Sequence, residues 1–246
     1  MSTTPARWLG LRRYTTARVA LGRVGNGLPT AAHLDFQEAH ARARDAVWSA
    51  LNAEALEAVL APLGAGTLRV ASEAEDRRLY LLRPDLGRRL HAADRAALPP
   101  MPGCLALVVA DGLCATGVQD HAAPFCARVI PALREAGWQL APIVIAAQAR
   151  VALGDEIGEA LGAQAVAVLI GERPGLSAQD SLGVYLTWAP RRGRSDAERN
   201  CISNIRPAGL GYDAAAQKLL WLLAAARRLG ATGVTLKDEQ PAALLA

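Results

Sequence analysis

Lysine is nearly missing from this sequence: Lys218 and Lys237 are the only two, and the other members of its 27 basic residues are arginines. Aromatic residues are also scarce, at 4%, so the aromatic-basic platform on which single-stranded nucleic acid stacks is not present. The net charge of +4 and the pI near 9.1 are mildly basic. The arginines, however, come in scattered pairs, Arg12-Arg13, Arg77-Arg78, Arg88-Arg89, Arg191-Arg192 and Arg227-Arg228, with acidic residues between them. Such a pattern reads as solvated faces and interface ion pairs, and no nucleic-acid partner is expected.

Other absences exclude other classes. No apolar run approaches the length of a bilayer span, and Met1 to Gly10 lacks the basic-then-apolar order of a signal peptide. A soluble cytoplasmic protein with no membrane role is the expectation. The four cysteines, Cys104, Cys114, Cys126 and Cys201, form no C-x-x-C pair, which argues against a zinc knuckle, a thioredoxin-type motif or an iron–sulfur cluster. Reduced thiols, most of them buried, and no metal site are expected. Gly22-x-x-Gly25-x-Gly27 has the wrong order for a dinucleotide fingerprint and follows no buried strand, and there is no Walker loop. Ser177 and Ser181 lie in no nucleophile elbow. His33, His40, His91 and His121 read as surface or helix-face residues, and none stands in the D-x-H-x-x-G context by which some corrinoid proteins ligate cobalt.

What is present is a core. Hydrophobic residues make up 52% of 246 positions, enough for one large α/β domain, alone or with an N-terminal appendage. Residues 105–110 are a continuous apolar run ending in Asp111-Gly112, as a strand buried on both faces should be. A helix carrying Val118, Phe125, Val129 and Leu133 follows. Strands are expected at 140–147, 166–170 and 183–188, helices at 155–161 and 213–229. The alternation predicts an α/β fold: a Rossmann-like parallel sheet flanked by helices, with a small, mainly helical N-terminal region. Thr30 is the expected cap of a helix with apolar positions Leu34, Ala41, Val47 and Leu51. Residues 66–82 read as two short strands, or a strand and a turn, and 83–89 as a loop leading into a short helix. The stiff stretch Leu98-Pro99-Pro100-Met101-Pro102 sets the expected boundary between an N-terminal helical region and interface arm, 1–98, and a Rossmann-like domain, 103–246.

In an open α/β sheet, ligands bind beyond the carboxyl ends of the strands. That rule selects Asp111-Gly112-Leu113, Gln148-Ala149-Arg150-Val151 and Gly171-Glu172-Arg173-Pro174-Gly175-Leu176-Ser177. The last fixes an open turn from which a carboxylate and a guanidinium project; Glu172 and Arg173 either meet a ligand or pair with neighbours. A second odd stretch, residues 196–206, reads as too polar for a core strand, with Cys201 at its middle.

The residues of these loops also carry a resemblance. Arg18-Val19-Ala20-Leu21-Gly22-Arg23, Leu79-Tyr80-Leu81-Leu82-Arg83-Pro84-Asp85-Leu86-Gly87-Arg88-Arg89, Ala110-Asp111-Gly112-Leu113, Gly154-Asp155-Glu156-Ile157-Gly158-Glu159, residues 170–176 and residues 199–205 resemble, in order, the motifs of the ethanolamine ammonia-lyase small-subunit family. The resemblance implies a Rossmann-like small subunit seated on a barrel-forming large subunit, with adenosylcobalamin between the two. It implies cofactor contacts at Val151, Glu172 and Cys201, and catalytic residues on the large subunit only. The implied reaction is the radical conversion of ethanolamine to acetaldehyde and ammonia, with this chain inactive alone. Cobalt's lower ligand would then come from the cofactor's own nucleotide base. Some family members carry a long stretch before the Arg-Val-x-x-Gly-Arg motif, linked to packaging in a bacterial microcompartment. Here the motif begins at Arg18, so free cytoplasm and microcompartment both stay open. Two other readings remain: a stand-alone Rossmann-like nucleotide-binding enzyme, and a non-catalytic scaffold subunit.

Overall fold

The computed structural model describes residues 6–15 and 17–240. The first five residues of the expected arm and the last six of the expected Rossmann-like domain lie outside the described residues. In chain order the elements are α1 (Ala6–Leu9), α2 (Thr30–Trp48), α3 (Ala53–Leu60), β1 (Thr67–Ala71), α4 (Arg77–Leu82), α5 (Ala92–Ala97), β2 (Leu105–Ala110), α6 (Ala115–Glu135), β3 (Ile143–Ala147), α7 (Leu153–Leu161), β4 (Ala165–Gly171), β5 (Leu182–Trp188), β6 (Arg199–Ile205) and α8 (Tyr212–Leu229).

Six strands form one sheet in the order β1-β3-β2-β4-β5-β6. The first four are parallel; β5 and β6 run antiparallel at one edge. The α/β architecture with a mostly parallel sheet is thus as expected. The continuous apolar runs follow from burial on both faces. Leu105, Leu107 and Val109 of β2 point into a core shared with α3, α6 and α8. Ala106, Val108 and Ala110 point into a second core against α7. β4 divides in the same way, Ala165, Ala167 and Leu169 to one side and Val166, Val168 and Ile170 to the other.

Three local expectations need correction. Thr30 is the first residue of α2 rather than its cap; Pro29 occupies the capping position and no side chain caps it. The second half of 66–82 is the helix α4, whose first turn is held by Asp76 accepting a bond from the Leu79 N–H at 2.7 Å. The strand expected to continue the parallel sheet, β5, returns antiparallel beside β4, because the stretch between Gly171 and Leu182 holds no crossover helix. The stretch read as too polar for a core strand contains β6, whose place at the sheet edge agrees with that reading. It is an edge strand, and only Arg199, Ile202 and Ile205 are buried. The spacing of three between the two isoleucines comes from a bulge. Val184 pairs with Ile202 and Leu182 with Ile205, while Asn204 takes a left-handed φ of 58° to absorb the extra residue.

The start of β6 is tied to α7 by a buried bidentate pair. Arg199 donates Nη1 and Nη2 to Asp155 at 2.6 and 2.7 Å, and both side chains are 2% exposed. Thr187 and the Arg194 carbonyl take further bonds from the same fork. Two glycines bring α7 close enough: a Cβ on Gly154 would meet Val168 at 2.3 Å, and one on Gly158 would meet Pro190 at 2.4 Å. The Gly-Asp-Glu-Ile-Gly run is therefore a packing and ion-pair motif. Arg199→Met leaves a buried carboxylate without its partner and is expected to cost about 3–5 kcal/mol in denaturant unfolding. The double variant with Asp155→Leu should recover a large part of that loss, and no recovery would refute the pairing as its cause.

Candidate functional site

Helices leave β2 and β3 toward opposite faces of the sheet, α6 to one side and α7 to the other. The loops that lead into them diverge, and a crevice opens at the carboxyl ends of the strands. A cleft of about 410 Å³ lies there, lined by Tyr80, Leu113, Arg150, Val151, Ile170, Gly171, Glu172, Arg173 and Tyr185. Val151 and Glu172, named from sequence, share this cleft. Cys201 does not line it, but pairs across the sheet with Tyr185, which does.

Asp111 holds the crevice in shape. Its carboxylate accepts the backbone N–H of Gly112 at 2.9 Å, of Gln148 at 2.8 Å and of Ala149 at 2.9 Å, which joins the end of β2 to the end of β3. Arg77 stands 3.8 Å away and donates to the carbonyls of Val47 at 2.7 Å and Gly112 at 2.8 Å, tying the end of α2 to the same loop. Burial pushes the Asp111 carboxyl up, against the three backbone donors and Arg77, which pull it down.

Tyr80 is fully buried with two guanidiniums over its ring, Arg77 at 4.6 Å and Arg150 at 4.2 Å from its centre. Its hydroxyl donates to the Ala149 carbonyl at 3.2 Å. Burial pushes the phenol up to about 12, with Arg150 acting against it. Gly87 closes over this stack: a Cβ there would lie 3.0 Å from both Arg150 Cγ and Tyr80 Cδ2. Gly171 has no room either, since its Cβ would meet the Cys114 carbonyl at 2.0 Å.

Glu172 does not pair with Arg173; among the described residues its carboxylate accepts the Asn204 N–H at 3.0 Å. The loop after β4 is thereby fastened to the bulge of β6, where Asn204 also has its carbonyl bonded by the Leu210 N–H at 2.8 Å. Cys104, Cys114 and Cys126 are buried and Cys201 is exposed, all four as free thiols. Loss of water around its sulfur pushes the Cys201 thiol up, and the Glu172 carboxylate adds to this. The arrangement suits a neutral thiol, not a thiolate nucleophile. The phenol of Tyr185 is pushed up as well, by burial first and then by Cys201 and Glu172.

Tyr80 and Tyr185 were not singled out from the sequence. Tyr185 packs against the core that holds Ile170, on the face of β5 opposite Leu182, Val184 and Leu186. Tyr80 had no signal beyond its place in a motif, because its partners at 77 and 150 come from separate elements. Among the described residues no group of three or more histidine, cysteine or acidic side chains is arranged to hold a metal ion. Among the described residues no helix is long and apolar enough to cross a membrane.

The family model described as ethanolamine ammonia-lyase light chain (EutC) matches residues 5–237. A protein of Ralstonia nicotianae named ethanolamine ammonia-lyase small subunit is 54% identical over 250 aligned positions, covering 99% of this chain and 93% of its own length. A protein of the same name from Xanthomonas campestris is 54% identical, covering 99% and 92%. One from Pseudomonas syringae is also 54% identical, covering 94% and 83%.

Iodoacetamide at neutral pH is expected to label the isolated chain at one thiol, Cys201. It should react more slowly than a free cysteine and speed up as pH rises above the ordinary thiol range, because a raised pKa leaves less thiolate at neutrality. Mass spectrometry with Cys201→Ser as control reads the site; fast labelling at neutral pH would contradict the stated environment.

Proposed function

The chain belongs to the ethanolamine ammonia-lyase light-chain family, and from that membership we propose that it binds one side of adenosylcobalamin against a large catalytic subunit. The observation that carries the cofactor part is the cleft at the strand ends, where Val151 and Glu172 lie together and Cys201 stands within electrostatic reach of Glu172.

The residues present suit a corrinoid edge. A corrin ring is broad and apolar at its centre and carries amide side chains at its rim. Leu113, Val151, Ile170 and the half-buried Tyr185 give apolar contact. Glu172 accepts amide N–H groups with the oxygen not bonded to Asn204. Among the lining residues, Arg150 has its buried Nε without a partner, so polar capacity remains in the wall. At about 410 Å³ the cleft takes an edge of the ring, which leaves the rest for another subunit to cover.

When bound, adenosylcobalamin supplies the radical that starts the conversion of ethanolamine to acetaldehyde and ammonia. This chain's residues bind and orient: Glu172 fixes the rim, Val151 supports the ring, and Cys201, held neutral beside Tyr185, adds a small polarizable contact. No acid–base pair or nucleophile lies in the cleft apart from these groups, and the family's catalytic residues belong to the large subunit. We assign none to this chain.

The partner reading has its own support. Leu9, Leu11, Tyr14, Leu28, Leu34, Phe36 and Trp48 are all exposed, so residues 9–48 carry apolar side chains of the kind that mark an interface arm, which we extend through residue 98. Residues 103–246 then form the cofactor-contacting part of a hetero-oligomer. We read the complex as cytoplasmic, with packaging in a microcompartment as the alternative.

Co-expression with the large subunit, followed by visible spectroscopy, tests this reading. The pair is expected to co-purify, to take up adenosylcobalamin and to turn over ethanolamine; the single chain should do neither of the last two. Glu172→Ala in the assembled pair should weaken uptake by about 1–3 kcal/mol, the range for a hydrogen bond to a charged acceptor. Unchanged affinity would remove Glu172 from the site, and turnover by the chain alone would overturn the assignment of catalysis to the partner.

A further inference from the structure

The cleft carries more positive charge than the protein itself neutralises. Arg77 has Asp111 at 3.8 Å, and that carboxylate is already shared among three backbone N–H groups. Arg150, also over the Tyr80 ring, makes no ion pair among the described residues. One end of its fork donates to the Tyr80 carbonyl at 3.1 Å, and its buried Nε has no acceptor. Arg173, exposed at the mouth of the same cleft, also makes no ion pair among the described residues. The one carboxylate lining the cleft, Glu172, is turned toward Asn204 of β6.

A half-buried guanidinium that faces no carboxylate is costly unless something else brings the charge. Arg150 is also held in place before any ligand arrives. Its backbone N–H donates to the Gly87 carbonyl at 2.8 Å, its guanidinium carbon stands 4.2 Å from the Tyr80 ring centre, and Gly87 packs against its stem, where a Cβ would lie 3.0 Å from Cγ. A long side chain fixed in this way loses little entropy when it meets an anion, and a planar fork suits a phosphate oxygen pair.

Taking the cofactor reading above as its basis, we infer that Arg150, with Arg173 at the mouth, forms an anion subsite that receives the phosphodiester of the cobalamin nucleotide loop. Glu172 and the arginines then divide the ligand between them: the carboxylate takes the amide rim and the guanidiniums take the only fixed negative charge on the molecule.

Two corrinoids separate this from the broader reading. Cyanocobalamin carries the phosphodiester; dicyanocobinamide has the same ring and amides without it. Their affinities for the co-purified complex are measured by equilibrium dialysis. Arg150→Gln is expected to weaken cyanocobalamin about ten- to a hundredfold, as for loss of a charged hydrogen bond, and to leave dicyanocobinamide unchanged; Arg150→Lys should restore part of the difference. Equal weakening of both ligands, or of neither, overturns the subsite while leaving the cofactor reading in place. If Arg150→Gln fails to assemble, Arg173→Gln on the exposed loop decides: a smaller but equally selective loss supports the subsite, and no selective loss overturns it. Failure of the unsubstituted complex to bind either corrinoid would bring down the cofactor reading and the subsite together.

Discussion

The carboxylate of Asp111 is the point on which the strand-end region depends. Two adjacent parallel strands send their chains to opposite faces, so their ends would spread apart and expose unpaired N–H groups. Asp111 gathers three of those groups into one buried hydrogen-bonded centre, and Arg77 supplies the counter-charge while reaching back to α2. From that centre the other features follow in order. Ala149 accepts from Tyr80, Tyr80 carries two guanidiniums over its ring, and Gly87 packs against Tyr80 and Arg150. The crevice that any open α/β sheet offers becomes, in this molecule, a cleft with a fixed floor.

A second tie sets the far wall. Glu172 bonds to the backbone of Asn204, so the loop after β4 is fixed to the bulge of an edge strand rather than left open. The bulge brings polar atoms to the same end of the sheet as the cleft, and β6 is anchored at its start by the buried Arg199–Asp155 pair. Edge strands with exposed backbone invite unwanted pairing; here the bulge and the polar outward face interrupt that edge while providing the position of Cys201. Stability and site geometry thus share residues, and the Gly-Asp-Glu-Ile-Gly motif serves packing and the buried ion pair.

Much of this was readable in the sequence, for identifiable reasons. The strands at 105–110, 143–147 and 165–171 are buried on both faces, so they appear as unbroken apolar runs. The long helix at 212–229 has the Ala- and Leu-rich composition that marks it. The strand-end rule then picked the loops that form the cleft, including those of Val151 and Glu172. What was hidden depended on pairing between distant segments. β6 has a broken alternation because Asn204 adds a residue, and α4 is too short for its period to stand out against the strand before it. The direction of β5 was legible in principle, since the stretch from Gly171 to Leu182 is too short and too turn-rich for a crossover helix. The stack on Tyr80 was not, because nothing local links positions 77, 80, 87 and 150.

The most direct measurement is an electron cryo-microscopy map of the chain co-purified with its large subunit and loaded with cobalamin. The expected map has the edge of the corrin against Val151, Glu172 and Cys201 at the carboxyl ends of the parallel strands, with the large subunit covering the remainder. A corrin enclosed wholly by the large subunit, or one seated on this chain away from those three residues, would contradict the proposed site.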